Sequence, residues 1–367
     1  MNWIDLGVSK DEYYQALSLY TIKNDCATIS ELILRHRDPI LALGLMPYYA
    51  LFCKETENYL NEQGWEIKVQ NNTPFKIEHA RLKLKQFNDR FSRASRYVAG
   101  LDESQDQLFK ERIWLGFLRR FNIHNNLGIY YYNRSIIGNT QYYYALFQER
   151  KVITKRILGN DVKDFSRIMG NIVSTVSWLL KDLPGQQPVI LDKKFEMYYQ
   201  DINTNKKQIF ALEQKTPKST ALLLLHTLCD INFARLILRP ILIDSTWKIR
   251  VMYIAMYYAY KQIELLKEKS GDGILISVLT TCVNKLNPIF DADFRSCMMH
   301  YAFINDGRYV IDDQHADFSL PMYGLVESCF GGLSYEAFLN QVNDNLDIMA
   351  KSIEGLLVLS SDNLKKL

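Results

Sequence analysis

The sequence predicts an all-α protein, mainly a helical bundle with a few short strands or hairpins. Apolar residues recur with a period near 3.6 through ten segments of the chain. Capping signals stand ahead of several of these segments, and glycine or proline punctuates their ends. Stretches that alternate as strands do are few.

In order, the periodic segments lie near 9–36, 38–63, 76–99, 103–121, 162–182, 217–238, 244–268, 272–285, 288–303 and 334–359. Ser9 and Glu12 have the spacing of a capping box, in which each side chain meets the other residue's backbone N–H. Ser334 opens the last helix in a similar way. Stops are expected at Gly64, Gly100, Gly159, Pro184–Gly185 and Gly271–Gly273. The strand-like pieces are WEIKV at 65–69, GIYYY at 128–132 and GRYVIDD at 307–313. Between 122 and 160 a hairpin is expected, turning at Gly138–Asn139. A soft boundary near 160 would separate an N-terminal helical region, 1–160, from a C-terminal helical domain, 161–367.

With 367 residues the chain can bury a sizeable core, and 48% apolar with 23% charged residues is ordinary globular composition. A net charge of +3 gives no general affinity for polyanions, so any nucleic-acid contact must be local. The six cysteines are scattered without CxxC or zinc-type spacing, which points to a reducing, cytoplasmic setting and no metal site. MNWIDLGVSKDEYY has no apolar core of a signal peptide. ALLLLHTLCDINFARLILRPILI is broken by Asp230, Arg235, Arg239 and Pro240, so it reads as a buried helix and no membrane partner is expected.

FRSCMMHYAF, residues 294–303, places Arg295 five positions before His300. At about 100° per residue, Phe290, Phe294, Cys297, Met298 and Tyr301 form a core stripe. Arg295 and His300 then flank the opposite side, with Ser296 and Met299 between them. Ser296 or Asp293 can orient the ring, and Met299 would face a partner. A plainer account pairs Arg295 with Asp291 and leaves His300 on the surface. The same spacing at Arg119 and His124 runs from a helix into an Asn-rich loop and is discounted.

The motif, followed by the turn and strand INDGRYVIDD and a long closing amphipathic helix, resembles the HEPN superfamily over about the last 150 residues. That family's signature is an arginine and a histidine separated by four to six residues, the first of them usually polar; Ser296 stands where Asn, Asp or His is more common. The resemblance implies a metal-independent, cofactor-free endoribonuclease of toxin–antitoxin or phage-defence type. It would act as a homodimer with two motifs facing one cleft, and a separate regulatory or antitoxin chain would keep it in check. Histidine suits proton transfer and arginine suits a phosphate. His300 would be the general acid or base, Arg295 the phosphate ligand, Ser296 a further contact and Asp293 a support.

RNA could also meet Arg81, Lys83, Lys85, Arg90 and Arg93 on the basic segment 76–96, Arg150, Lys151, Lys155 and Arg156 further on, or the tyrosine triplets 130–132 and 142–144. A solvated charged face, or one paired with acids elsewhere, is the plainer account of such a segment. The competing expectation is a catalytically silent helical protein that binds RNA, a nucleotide or a protein partner. Phosphate-loop, dinucleotide, zinc-protease and nucleophile-elbow motifs are missing from the sequence, and DDQHAD at 312–317 reads as a polar turn.

Overall fold

The computed structural model describes residues 3–36, 38–65, 67, 74–88, 90–111, 124–146, 159–243, 245–361 and 364–367. They are mostly helical, with a small four-stranded antiparallel sheet and a separate two-stranded ribbon. After the short α1 (Trp3–Leu6) comes α2 (Lys10–Arg35), opened by the expected capping box of Ser9 and Glu12. Asp38 caps α3 (Pro39–Glu62), accepting from the N–H groups of Ile40 and Leu41. These two helices pack on each other and on α7 (Gly159–Leu179).

The basic segment does not form one helix. It divides into α4 (Pro74–Leu82), a 3-10 stretch (Lys83–Asn88) and α5 (Phe91–Glu111), so its cations do not form a stripe along one helix. Gly100 lies inside α5 and stops nothing. The hairpin is β1 (Leu127–Tyr132) and β2 (Ser135–Asn139), but it turns at Asn133–Arg134 rather than at Gly138–Asn139. Both turn residues have positive φ, 49° and 65°, which matches the right-handed twist of paired strands. Gly138 sits in β2, where a Cβ would lie 2.2 Å from the Tyr143 hydroxyl oxygen of α6 (Thr140–Leu146). With β3 (Met197–Ile202) and β6 (Lys365–Lys366) the sheet runs β2-β1-β3-β6. Ile67 is the only described residue of 66–69, so the proposed strand at 65–69 lies largely outside the described residues. The proposed strand at 307–313 is reduced to Arg308–Tyr309 (β5), paired with Ile304–Asn305 (β4).

The apolar run forms α8 (Lys218–Asn232), continued by a π-helical turn (Phe233–Leu238) into α9 (Arg239–Ile241). Among the described residues it is the one helix long and apolar enough to cross a membrane, and most of it is buried inside the protein. At the centre is α10 (Thr246–Lys269), buried on several sides, as expected of a helix surrounded by others. It touches α2, α5, α8, α11 (Gly273–Val283), α12 (Ala292–Met299) and α14 (Tyr335–Glu354), and α13 (Leu325–Cys329) packs on α12. One buried cluster runs from Tyr13 to Leu356. The two sides of residue 160 therefore share a core, and strands β1 and β3 pair across it.

Candidate active site

Asp291 caps α12 by accepting from the Phe294 N–H at 2.7 Å, and Phe294, Cys297 and Met298 turn into the core. The helix ends one residue before the histidine. His300 is extended (φ −125°, ψ 157°), and Arg250 of α10 donates from Nη1 to the last-turn carbonyls of Cys297 and Met298 at 3.0 and 2.6 Å. These carbonyls would otherwise lack helical partners, so the buried arginine serves as a cap. His300 thus leaves the helical wheel on which the sequence placed it. Met299 is fully buried, which corrects its expected place against a partner.

Released from the helix, the His300 side chain reaches α3, where Nδ1 lies 2.6 Å from Glu55 Oε2. His300 is 41% exposed, whereas Glu55 is 4% exposed. The other oxygen of Glu55 is 2.5 Å from Arg81 Nε of α4, and Arg81 also donates to Glu78 at 2.9 Å. Lys85 lies in the same electrostatic neighbourhood. Its amine is pushed below the ordinary lysine range by burial and by the charges of Arg81 and Arg295, against the pull of Glu55 and Glu78. Arg295 sits with its guanidinium carbon 5.8 Å from the centre of the Tyr257 ring. Burial raises the Tyr258 hydroxyl to about 12, although Arg295 holds it down by charge and hydrogen bond. The buried Arg295 Nε has no hydrogen-bond partner among the described residues. Next to this group opens a cleft of about 690 Å³, lined by Lys85, Tyr257, Tyr258, Lys261, Glu264 and Arg295 among others.

Arg295 and His300 therefore belong to one neighbourhood, joined through Glu55, Arg81 and Lys85 rather than through a shared helical face. Ser296 and Asp293 bond elsewhere. The Ser296 hydroxyl is 3.4 Å from Asn305 Oδ1, and Asp293 accepts from Asn305 Nδ2 at 2.6 Å, which ties both to the β4–β5 hairpin and not to the ring. No ion pair joins Arg295 to Asp291 among the described residues, where Asp291 serves as the cap.

Of the basic residues, Arg81 and Lys85 join this site. Lys83 does not: it is 6% exposed, donates to the Tyr97 hydroxyl at 2.5 Å, and burial pushes its amine well below the ordinary range. A phosphate-tracking role for Lys83 is corrected on that ground. Arg90 is exposed, and Arg93 lines another cavity with His79, Lys83 and Tyr97, which shares Lys85 with the cleft. Arg150, Lys151, Lys155 and Arg156 lie outside the described residues. Tyr131, Tyr132, Tyr142 and Tyr143 are buried, which removes most of the two triplets as stacking platforms. Among the described residues, no group of three His, Cys, Asp or Glu side chains converges as a metal site.

Glu55, Tyr257, Tyr258 and Lys261 escaped sequence reasoning. Glu55 stands 245 positions from its histidine, and no local spacing could pair them. The one available signal was a carboxylate on the apolar side of a helix rich in buried residues, where an acid requires a partner. No family model matches the chain, and no curated protein or solved structure is similar to it.

Proposed function

We propose that this protein is a metal-independent endoribonuclease of toxin or phage-defence type. The observation that carries the reading is a half-exposed histidine held by a buried carboxylate, with Arg81, Lys85 and Arg295 close by. Glu55 occupies Nδ1 and fixes the ring, which leaves Nε2 for proton exchange with substrate. RNA entering the cleft presents its scissile phosphate to Arg295 and Lys85. His300 takes the 2′-OH proton or protonates the departing 5′-oxygen, and the guanidinium of Arg295 offsets the charge that grows on the phosphate. The 2′-oxygen bonds to phosphorus as the P–O5′ bond breaks, giving a cyclic phosphate and a 5′-hydroxyl. Two such chains would face each other across the substrate. Glu55 and Arg81 give each chain a buried carboxylate and a further cation for this purpose.

The test is cleavage of a mixed cellular RNA pool in EDTA by wild type, His300→Ala and Arg295→Ala. Fragments with cyclic phosphate ends from wild type alone support the proposal. Cleavage by all three proteins would overturn it. RNA binding without cleavage by wild type would favour the catalytically silent reading.

A further inference from the structure

A second cavity, of about 450 Å³, opens where α2, the start of α10 and the 318–323 segment meet. Its walls carry the rings of Tyr20, Phe318, Tyr323 and Tyr335. Tyr20 and Phe318 meet edge to face at 4.9 Å between centres, and Phe318 and Tyr323 lie 5.7 Å apart at 31°. Polar groups are interspersed: Asn24, Ser245, Thr246 and Ser319. No charged side chain lines it among the described residues.

The backbone at this wall is held in an unusual conformation. Met322 and Tyr323 have φ of 53° and 61°, followed by Gly324 at 88°. Bulky residues rarely adopt this region, and such conformations persist where the surroundings fix them, often beside ligands. Here they place two large side chains on the cavity wall. Gly324 cannot be replaced freely, since a Cβ there would lie 1.9 Å from the His315 carbonyl oxygen.

We infer that this cavity binds a nucleoside-class ligand, a flat uncharged ring with hydroxyl groups. The aromatic walls suit a stacked base. The Asn24 amide N–H groups can donate to its edge, while Asn24 Oδ1 accepts from the Gln186 N–H. The hydroxyls of Thr246 and Ser319 donate to Asp25 and Asp317, and their oxygens can still accept from a sugar. A volume of about 450 Å³ falls within the range of small-molecule sites. Among the described residues no lysine, arginine or histidine stands in the lining, so a phosphate gains no ion pair from it, and a nucleoside is expected to bind at least as tightly as its nucleotide. This inference does not depend on the ribonuclease reading.

Calorimetric titration of the full chain with adenosine, guanosine, cytidine and uridine, and with each 5′-monophosphate, tests it. At least one nucleoside is expected to bind with one-to-one stoichiometry and a submillimolar Kd, and its monophosphate no more tightly. Phe318→Ala, at a partly exposed position, and separately Tyr20→Ala should each weaken binding about tenfold or more, while Arg295→Ala leaves it unchanged. Circular dichroism checks that each variant is folded. No heat from any nucleoside overturns the inference, as does binding that survives both aromatic substitutions. Binding lost only in Arg295→Ala would place the nucleoside in the cleft that Arg295 lines, and also overturns it.

Discussion

Arg250→Met removes the cation at the centre of a buried network. Arg250 Nε donates to Asp25 Oδ2 at 2.8 Å, and the two side chains are 2% and 0% exposed. Asp25 also accepts from Thr246 at 2.5 Å and from Tyr301 at 2.9 Å, while Arg250 holds the end of α12. Methionine roughly fills the space, so the cavity contribution is small. What remains is a carboxylate without its countercharge and two helix carbonyls without donors. Removing one partner of a buried pair costs about 3–5 kcal/mol. Urea unfolding with an unchanged slope should show a loss of that size. The double variant Asp25→Leu with Arg250→Met should be less destabilised than the sum of the single changes, because it leaves no lone charge. A loss under about 1 kcal/mol for Arg250→Met, outside the range expected for a broken buried pair, would refute the reasoning.

Glu55→Gln should lower RNA cleavage about 100-fold or more at neutral pH, because the ring of His300 loses the carboxylate that orients it; a single-turnover rate within threefold of wild type would exclude that role. Gly44→Ala pits helix propensity, worth about 1 kcal/mol in alanine's favour, against a Cβ placed 2.2 Å from the Phe233 ring. Overpacking costs about 1–3 kcal/mol, so the melting temperature should fall. Burial raises the Asp230 carboxyl to about 7, with a Tyr142 hydrogen bond pulling the other way. Between the unfolded carboxyl value of about 4 and about 7, the folded chain keeps a proton that the unfolded chain releases. Stability therefore falls with rising pH, by up to about 1.4 kcal/mol per unit from this group. Relative to wild type, Asp230→Asn should be more stable at pH 8 than at pH 4.5, measured by urea unfolding at each pH. His226, lowered to about 3 by burial and by Lys83, acts in the opposite sense. It stays neutral when folded and protonates when unfolded, so its contribution is lost as pH falls below about 6.5. Asp230→Asn should expose that acid-side loss.

Helices were legible wherever periodicity and caps agreed. Ser9 with Glu12 and Ser334 each mark a helix start, because capping is a local matter of three or four residues. The failures were non-local. Nothing near 83 announces that Lys83 turns inward to Tyr97, which lies 14 residues on in another helix. The histidine was placed on a wheel drawn to residue 303, four residues past the observed end at Met299, and that end is set by an arginine 47 positions from Cys297. The hairpin was correctly located between 122 and 160 but its turn was not, since Asn133–Arg134 lacks the glycine that usually marks a left-handed pair.

The charges beside the cleft explain why this site, rather than another basic patch, attracts a functional reading. Arg81 is matched by Glu55 and Glu78, and Glu55 is shared with His300. Lys85, Lys261 and Arg295 have no carboxylate partner within salt-bridge reach among the described residues, and all three line the same cleft. A solvated surface of mixed charges would leave lysine amines near their ordinary range. Lys85 instead sits below it, because burial and two neighbouring guanidinium groups disfavour its proton. An anion entering between Lys85 and Arg295 would relieve that repulsion and favour proton uptake by the amine. Lys85 and Arg295 thus bring two cations to a cleft that Glu264 and Glu268 also line, and Lys85 shares the charge neighbourhood of Glu55, the carboxylate that holds His300.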